Sequence, residues 1–160
     1  RSRFIIYANT GVCAIDPPNS RPYPIFNGSF NYERMRGNKN RWKVGLEVFY
    51  NTANPHFYES DTIVHLDNNI QNIQVGIRAG YAVAVGNLLF PVEMGYYLYS
   101  KDPIGKFFHR VGLRYQLNEK WIVGITLKTH WANAEYFEWG AGYCIGPKKK
   151  RPFRTLGPPF

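Results

Sequence analysis

The sequence predicts an all-β protein, a closed antiparallel β-barrel of about eight strands that crosses a membrane. Three observations carry this. Apolar and polar residues alternate with period two through most of the chain. The apolar set is bulky and aromatic, whereas its alternates are rich in glycine and charge, which make a poor interior for a soluble protein. No apolar run approaches the length of a membrane-spanning helix.

The strands follow in order. A first strand runs from about Phe4 to Asn9, with a less regular continuation toward Ile15. In the second, Phe26, Phe30 and Tyr32 alternate with Asn27, Ser29, Asn31 and Glu33. In the third, Trp42, Val44, Leu46, Val48 and Tyr50 oppose Lys43, Gly45 and Glu47. In the fourth, Ile73, Val75, Ile77, Ala79, Tyr81 and Val83 oppose Gln74, Gly76, Arg78 and Gly80. The fifth sets Leu88, Phe90, Val92, Met94, Tyr96 and Leu98 against Pro91, Glu93, Gly95, Tyr97 and Tyr99. The sixth sets Phe107, His109, Val111, Leu113, Tyr115 and Leu117 against Phe108, Arg110, Gly112, Arg114 and Gln116.

The final pair is the cleanest. Trp121, Val123, Ile125 and Leu127 alternate with Ile122, Gly124, Thr126 and Lys128. Phe137, Trp139, Ala141, Tyr143 and Ile145 alternate with Glu138, Gly140, Gly142 and Cys144. A soluble lipocalin-like barrel would turn its apolar face inward. Here the charges share a face with the glycines, so that face must be the lumen.

Connection lengths orient the barrel. Links near Gly37–Arg41, Gly86–Asn87 and Asn118–Lys120 are tight, and those near Asp16–Pro24, Ala53–Asn69, Lys101–Gly105 and Trp131–Glu135 are mostly longer. Outer-membrane barrels keep short turns in the periplasm and long loops outside. Both termini are therefore expected in the periplasm of a bacterium. Tyr32, Trp42, Tyr115, Trp121 and Tyr143 form the expected inner aromatic girdle, and Tyr50, Tyr96, Phe107 and Trp139 the outer one. A barrel of this kind is exported, so a cleavable leader is expected ahead of Arg1.

Residues 1–145 are assigned to the barrel and 146–160 to a basic, proline-rich periplasmic tail. The tail contains five basic residues and four prolines, which bar it from a regular element of its own. It reads as a strap for a protein partner in a larger outer-membrane complex. Lys148, Lys149, Lys150, Arg151 and Arg154 would meet acidic groups, and Phe153, Leu156 and Phe160 would act as apolar anchors. The net charge of +9 carries no basic recognition helix, so it points to lipid phosphates rather than nucleic acid. Lipopolysaccharide outside and phospholipid inside are the expected lipid contacts.

Within the lumen, Glu33, Glu47, Glu93 and Glu138 face Lys43, Arg78, Arg110, Arg114 and Lys128, an arrangement expected to fill the interior with paired charge. Across the last hairpin, Glu138 is expected opposite Lys128 or His130. Cys13 and Cys144 fall at opposite ends of their strands, too far apart for a disulfide. No Cys/His metal spacing and no cofactor motif is present. His56, Glu59, Asp61 and His65 have irregular spacing and read as loop-surface residues.

The outer end of the last hairpin holds the candidate chemistry, in the run LKTHWANAEYFEWGAGY, preceded by GYYLYSKDPIGKFFHRVGLRYQL. A rim histidine with a nearby asparagine and glutamate could form a base–orienter set. These runs resemble the lipid A deacylase family of PagL type, most of all its Bacteroidota branch, labelled acyloxyacyl hydrolase. The resemblance covers roughly the last third of the chain. It implies an eight-stranded outer-membrane barrel that removes an ester-linked acyl chain from lipid A with a Ser-His-Glu triad. On the His-x-Ser-Asn motif, His130 matches the histidine and Asn133 the asparagine, while Ala132 stands at the serine. Glu138 or Glu135 matches the acid. Without its serine, His130 cannot run an acyl-enzyme route. Two functions follow. One is a non-catalytic accessory or structural subunit. The other is a lipid A or phospholipid esterase that uses His130 and Glu138 with a different nucleophile, such as Thr126, Thr129, Ser100, Ser60 or water.

Overall fold

The computed structural model describes residues 1–13, 23–37, 39–52, 73–100, 105–130 and 133–146. The strands are β1 (Ser2–Cys13), β2 (Tyr23–Arg36), β3 (Asn40–Asn51), β4 (Ile73–Val85), β5 (Leu88–Tyr99), β6 (Phe107–Gln116), β7 (Trp121–His130) and β8 (Asn133–Ile145). They form one closed barrel in chain order. Every neighbouring pair is antiparallel, and β1 closes on β8 from Phe4↔Ile145 to Cys13↔Tyr136.

The exterior is apolar, as the alternation requires. Ile73, Ile77 and Leu113 would lie in the core of a soluble sandwich, yet they are 39%, 42% and 45% exposed. The girdles appear as ring pairs. Trp121 meets Tyr143 at 5.2 Å, Trp42 meets Tyr81 at 4.9 Å, and Tyr96 meets Phe107 at 5.0 Å between centroids.

The lumen is layered rather than uniformly polar. Ile5, Tyr7, Ala84, Leu89, Ile122 and Cys144 form an apolar floor at the tight-turn end. Phe49, Tyr97 and Phe108 form an aromatic layer toward the other end, with Phe49–Phe108 edge-on at 5.6 Å. Most of the charge occupies the space between, with Arg3, Glu33 and Arg41 at the tight-turn end. Glycine makes room for the rings. A Cβ on Gly95 would overlap Phe108, and one on Gly142 would overlap Tyr7.

The turns explain themselves locally. Gly37 and Gly86 have φ of 68° and 62°, a left-handed conformation that suits glycine in tight hairpins. At the β6–β7 turn the Asn118 Oδ1 accepts from the backbone N–H of Lys120 (2.8 Å) and Trp121 (2.9 Å).

Three expectations need correction. The last connection is not long, because β8 starts at Asn133 and only residues 131–132 separate it from β7. The β7–β8 register accordingly sets Glu138 opposite Thr126, not Lys128 or His130, and shifts at Lys128/Thr129. Inside–outside parity survives, since Glu138 is buried on the lumen face. The third concerns Tyr99, expected inward. A register shift at Val75/Gly76 leaves Leu98 unpaired with β4 and turns Tyr99 outward at 41% exposure. Cys144 is a buried free thiol opposite Ile5, while Cys13 pairs with Tyr136 far up the same seam.

Candidate functional site

Alternation places one inward side chain every second residue, and the closed barrel brings distant strands within reach of each other. Arg110 on β6 is the hub. Its Nη1 and Nη2 each lie 3.0 Å from a Glu47 carboxylate oxygen, and Nη2 also donates to Glu138 Oε1 at 2.9 Å. Arg78 on β4 lies between Glu47 (3.3 Å) and Glu93 (3.1 Å). It also donates to Asn31 Oδ1 (2.9 Å) and Ser29 Oγ (2.8 Å). Arg114 donates to Glu93 Oε1 at 2.6 Å, and Lys43 pairs with the same oxygen. Nearer the tight turns, Arg3 Nε donates to Glu33 Oε2 at 2.5 Å.

Charges removed from water need this density of partners. A single buried ion pair is a weak source of stability, while a buried charge left alone is severely destabilising. Each carboxylate is held by at least one cation, and several side chains bridge two partners. The expected lumen network is therefore present, with Arg3, Asn27, Ser29 and Asn31 as further members.

Lys128 adds aromatic contacts to the network. Its ammonium lies among four rings, 4.6 Å from the Phe49 centroid, 4.8 Å from Tyr136, 5.2 Å from Tyr97 and 5.3 Å from Phe108. It donates to the Tyr136 hydroxyl at 3.1 Å. Ring quadrupoles and a phenol oxygen contribute to stabilising this cation. Sequence patterning placed Lys128 inward but missed this cage, because Phe49 and Tyr97 lie on other strands and only the closed barrel brings them together.

Glu138 is occupied from three sides. Asn27 Nδ2 donates to Oε1 at 2.8 Å, Thr126 Oγ1 to Oε2 at 3.2 Å, and Arg110 as above. His130 pairs with Asn133 at the end of the β7–β8 ladder. From Thr126, opposite Glu138, to His130 is four residues, about 13 Å at strand spacing. The register thus brings His130 and Asn133 together and separates them from Glu138. Ala132 lies outside the described residues, as do His56, Glu59, Asp61, His65 and the tail from Lys148 to Phe160. Among the described residues no cluster of His, Cys, Asp and Glu could hold a metal ion.

On the outer wall Ala8 and Ala141 face each other across the β1–β8 seam, leaving an apolar depression of about 760 Å³ bordered by Phe26, Trp139 and Ile125. It is a feature of the lipid-facing surface, not of the lumen.

An apolar exterior with aromatic girdles, closed on an ion-paired lumen, defines a small outer-membrane-type β-barrel. The acyloxyacyl hydrolase C-terminal domain family matches residues 2–148, and the chain belongs to that family. The match reaches far beyond the last third in which the resemblance was first visible. A de novo designed transmembrane β-barrel is similar at 12% identity and TM-score 0.51, over 89% of this chain and 95% of that one. Ail of Yersinia pestis, in a phospholipid bilayer nanodisc, gives 9% identity and TM-score 0.47 over 91% of this chain and all 100% of its own. Neisserial surface protein A gives 12% and 0.40 over 89% and 96%. At such identities the likeness concerns fold alone. No curated protein sequence matches the chain.

Proposed function

We propose that this barrel keeps the scaffold of its family without the hydrolytic chemistry and works as an accessory subunit of an outer-membrane assembly, with both termini in the periplasm. The observation that carries this is Ala132 at the position of the motif serine. An alanine side chain has no group that can attack an ester carbonyl. The placement of Glu138 supports the same reading, because its oxygens are committed to Arg110, Asn27 and Thr126. The tail from Gly146 onward is the docking strap in this proposal, and its prolines lower the ordering cost of binding.

The competing reading is an esterase in which His130 activates water or another hydroxyl. Mass spectrometry of lipid A from cells with and without the protein separates the two. Unchanged acylation is expected. Loss of an ester-linked chain that depends on the protein and disappears in His130→Ala would establish the esterase instead.

A further inference from the structure

The lipid-facing rows of β2 and β3 change character at the Gly37 turn. Phe26, Phe30 and Tyr32 give way to Arg34 and Arg36, which are exposed on the same outward face. Lys39, also exposed, follows the turn. Arg34 is the ladder partner of Trp42, and Arg36 that of Asn40. Trp42 packs on Tyr81 at 4.9 Å, and the Tyr81 hydroxyl donates to Asn40 Oδ1 at 2.6 Å. The nearest carboxylate along β2, Glu33, points into the lumen and is held there by Arg3. Among the described residues Arg34, Arg36 and Lys39 have no ion-pair partner.

We propose that this hairpin end is a binding site for anionic glycerophospholipid. Arg34, Arg36 and Lys39 take the phosphate, and the Trp42–Tyr81 pair sits at the glycerol level. Depth argues for a lipid rather than an acidic protein. Aromatic residues such as Trp42 and Tyr81 settle at the membrane–water interface. Along β2, Arg34 and Arg36 lie roughly 7 and 13 Å beyond Tyr32 at strand spacing, which is the headgroup layer. Guanidinium groups can grip a phosphate through two parallel hydrogen bonds. The choice of a glycerophospholipid rests on the periplasmic orientation proposed above, because the opposite leaflet would present lipid A phosphates.

The test uses the purified full chain in nanodiscs of mixed phosphatidylglycerol and phosphatidylcholine, with retained lipid counted by native mass spectrometry. Wild type should retain phosphatidylglycerol preferentially. Each cation at an anionic surface is worth about a fivefold preference, so Arg34→Gln/Arg36→Gln/Lys39→Gln should lose on the order of a hundredfold. Lys106→Gln, a single exposed cation toward the other end, should lose no more than about fivefold. No preference in wild type, or an equal loss in Lys106→Gln, would overturn the site. Displacement of the lipid by millimolar inorganic phosphate would reduce it to an anion site. Orientation is read separately by labelling Lys39→Cys on intact cells with a membrane-impermeant maleimide. Protection is expected. Labelling would overturn the orientation, and with it the glycerophospholipid as occupant, whatever the nanodisc result.

Discussion

Glu138 and Arg110 meet at 2.9 Å inside the barrel, one strand removed from each other across β7. This contact fixes Glu138 as a lumen residue facing Thr126, well below the rim where His130 lies. Arg110 also holds Glu47 through both terminal nitrogens. Replacing it by methionine leaves two buried carboxylates short of a cation. We expect Arg110→Met to cost about 3–5 kcal/mol, the usual range for breaking a buried pair from one side. Urea unfolding in lipid vesicles, followed by tryptophan fluorescence, measures it.

Lys128 should respond differently. Its ammonium lies within 5.3 Å of the Phe49, Tyr97, Phe108 and Tyr136 ring centroids. Methionine fills the same volume with a group that favours aromatic neighbours. Lys128→Met is expected within about 1.5 kcal/mol of wild type, whereas Lys128→Ala, which empties the cage, should lose about 2–5 kcal/mol. The same unfolding assay ranks the two variants. A large loss in the methionine variant would mean that the charge, not the packing, matters there.

Gly95 tests the aromatic layer. A methyl group there would overlap the Phe108 ring, which packs against Phe49 and Tyr97. We expect Gly95→Ala to destabilise by about 1–3 kcal/mol through overpacking. Gly28, with open space around its Cβ direction, provides the matched control, and Gly28→Ala should be close to neutral.

Removal of residues from Gly146 onward should leave the barrel folded, since every ladder ends at or before Ile145. The accessory-subunit proposal further expects the truncated chain to co-purify with fewer partners than the full chain. Identical partners in identical amounts would transfer any docking role to the barrel wall.

Much of this architecture was readable in the chain because a membrane barrel imposes one rule on every strand. Residues such as Val44, Leu46 and Val48 must face lipid while Lys43, Gly45 and Glu47 face the lumen, so period two survives in the sequence. Register was less readable. The offset between Lys128/Thr129 and their β8 partners is one unpaired residue, which leaves no compositional mark. The early start of β8 places Glu138 four residues below His130, and the offset returns Glu138 to the lumen face opposite Thr126. The apolar floor was hidden for another reason. Ile5 and Leu89 are inward residues flanked by apolar outward ones, Phe4 and Ile6 or Leu88 and Phe90, so alternation disappears where both faces are greasy.

The β1–β8 seam carries a consequence for assembly. It joins the two ends of the chain, pairing Phe4 with Ile145, and its ladder includes Gly11, Gly140 and Gly142. Until it forms, β1 and β8 each expose a full row of unpaired backbone groups, a state that hydrocarbon does not tolerate. Every other adjacent pair links consecutive strands and can zip locally, but this one must bridge nearly the whole chain and bears the largest loop-closure cost. Closure is thus the natural last step of folding. A half-inserted barrel should therefore stay open to pairing with another edge strand until that step is complete.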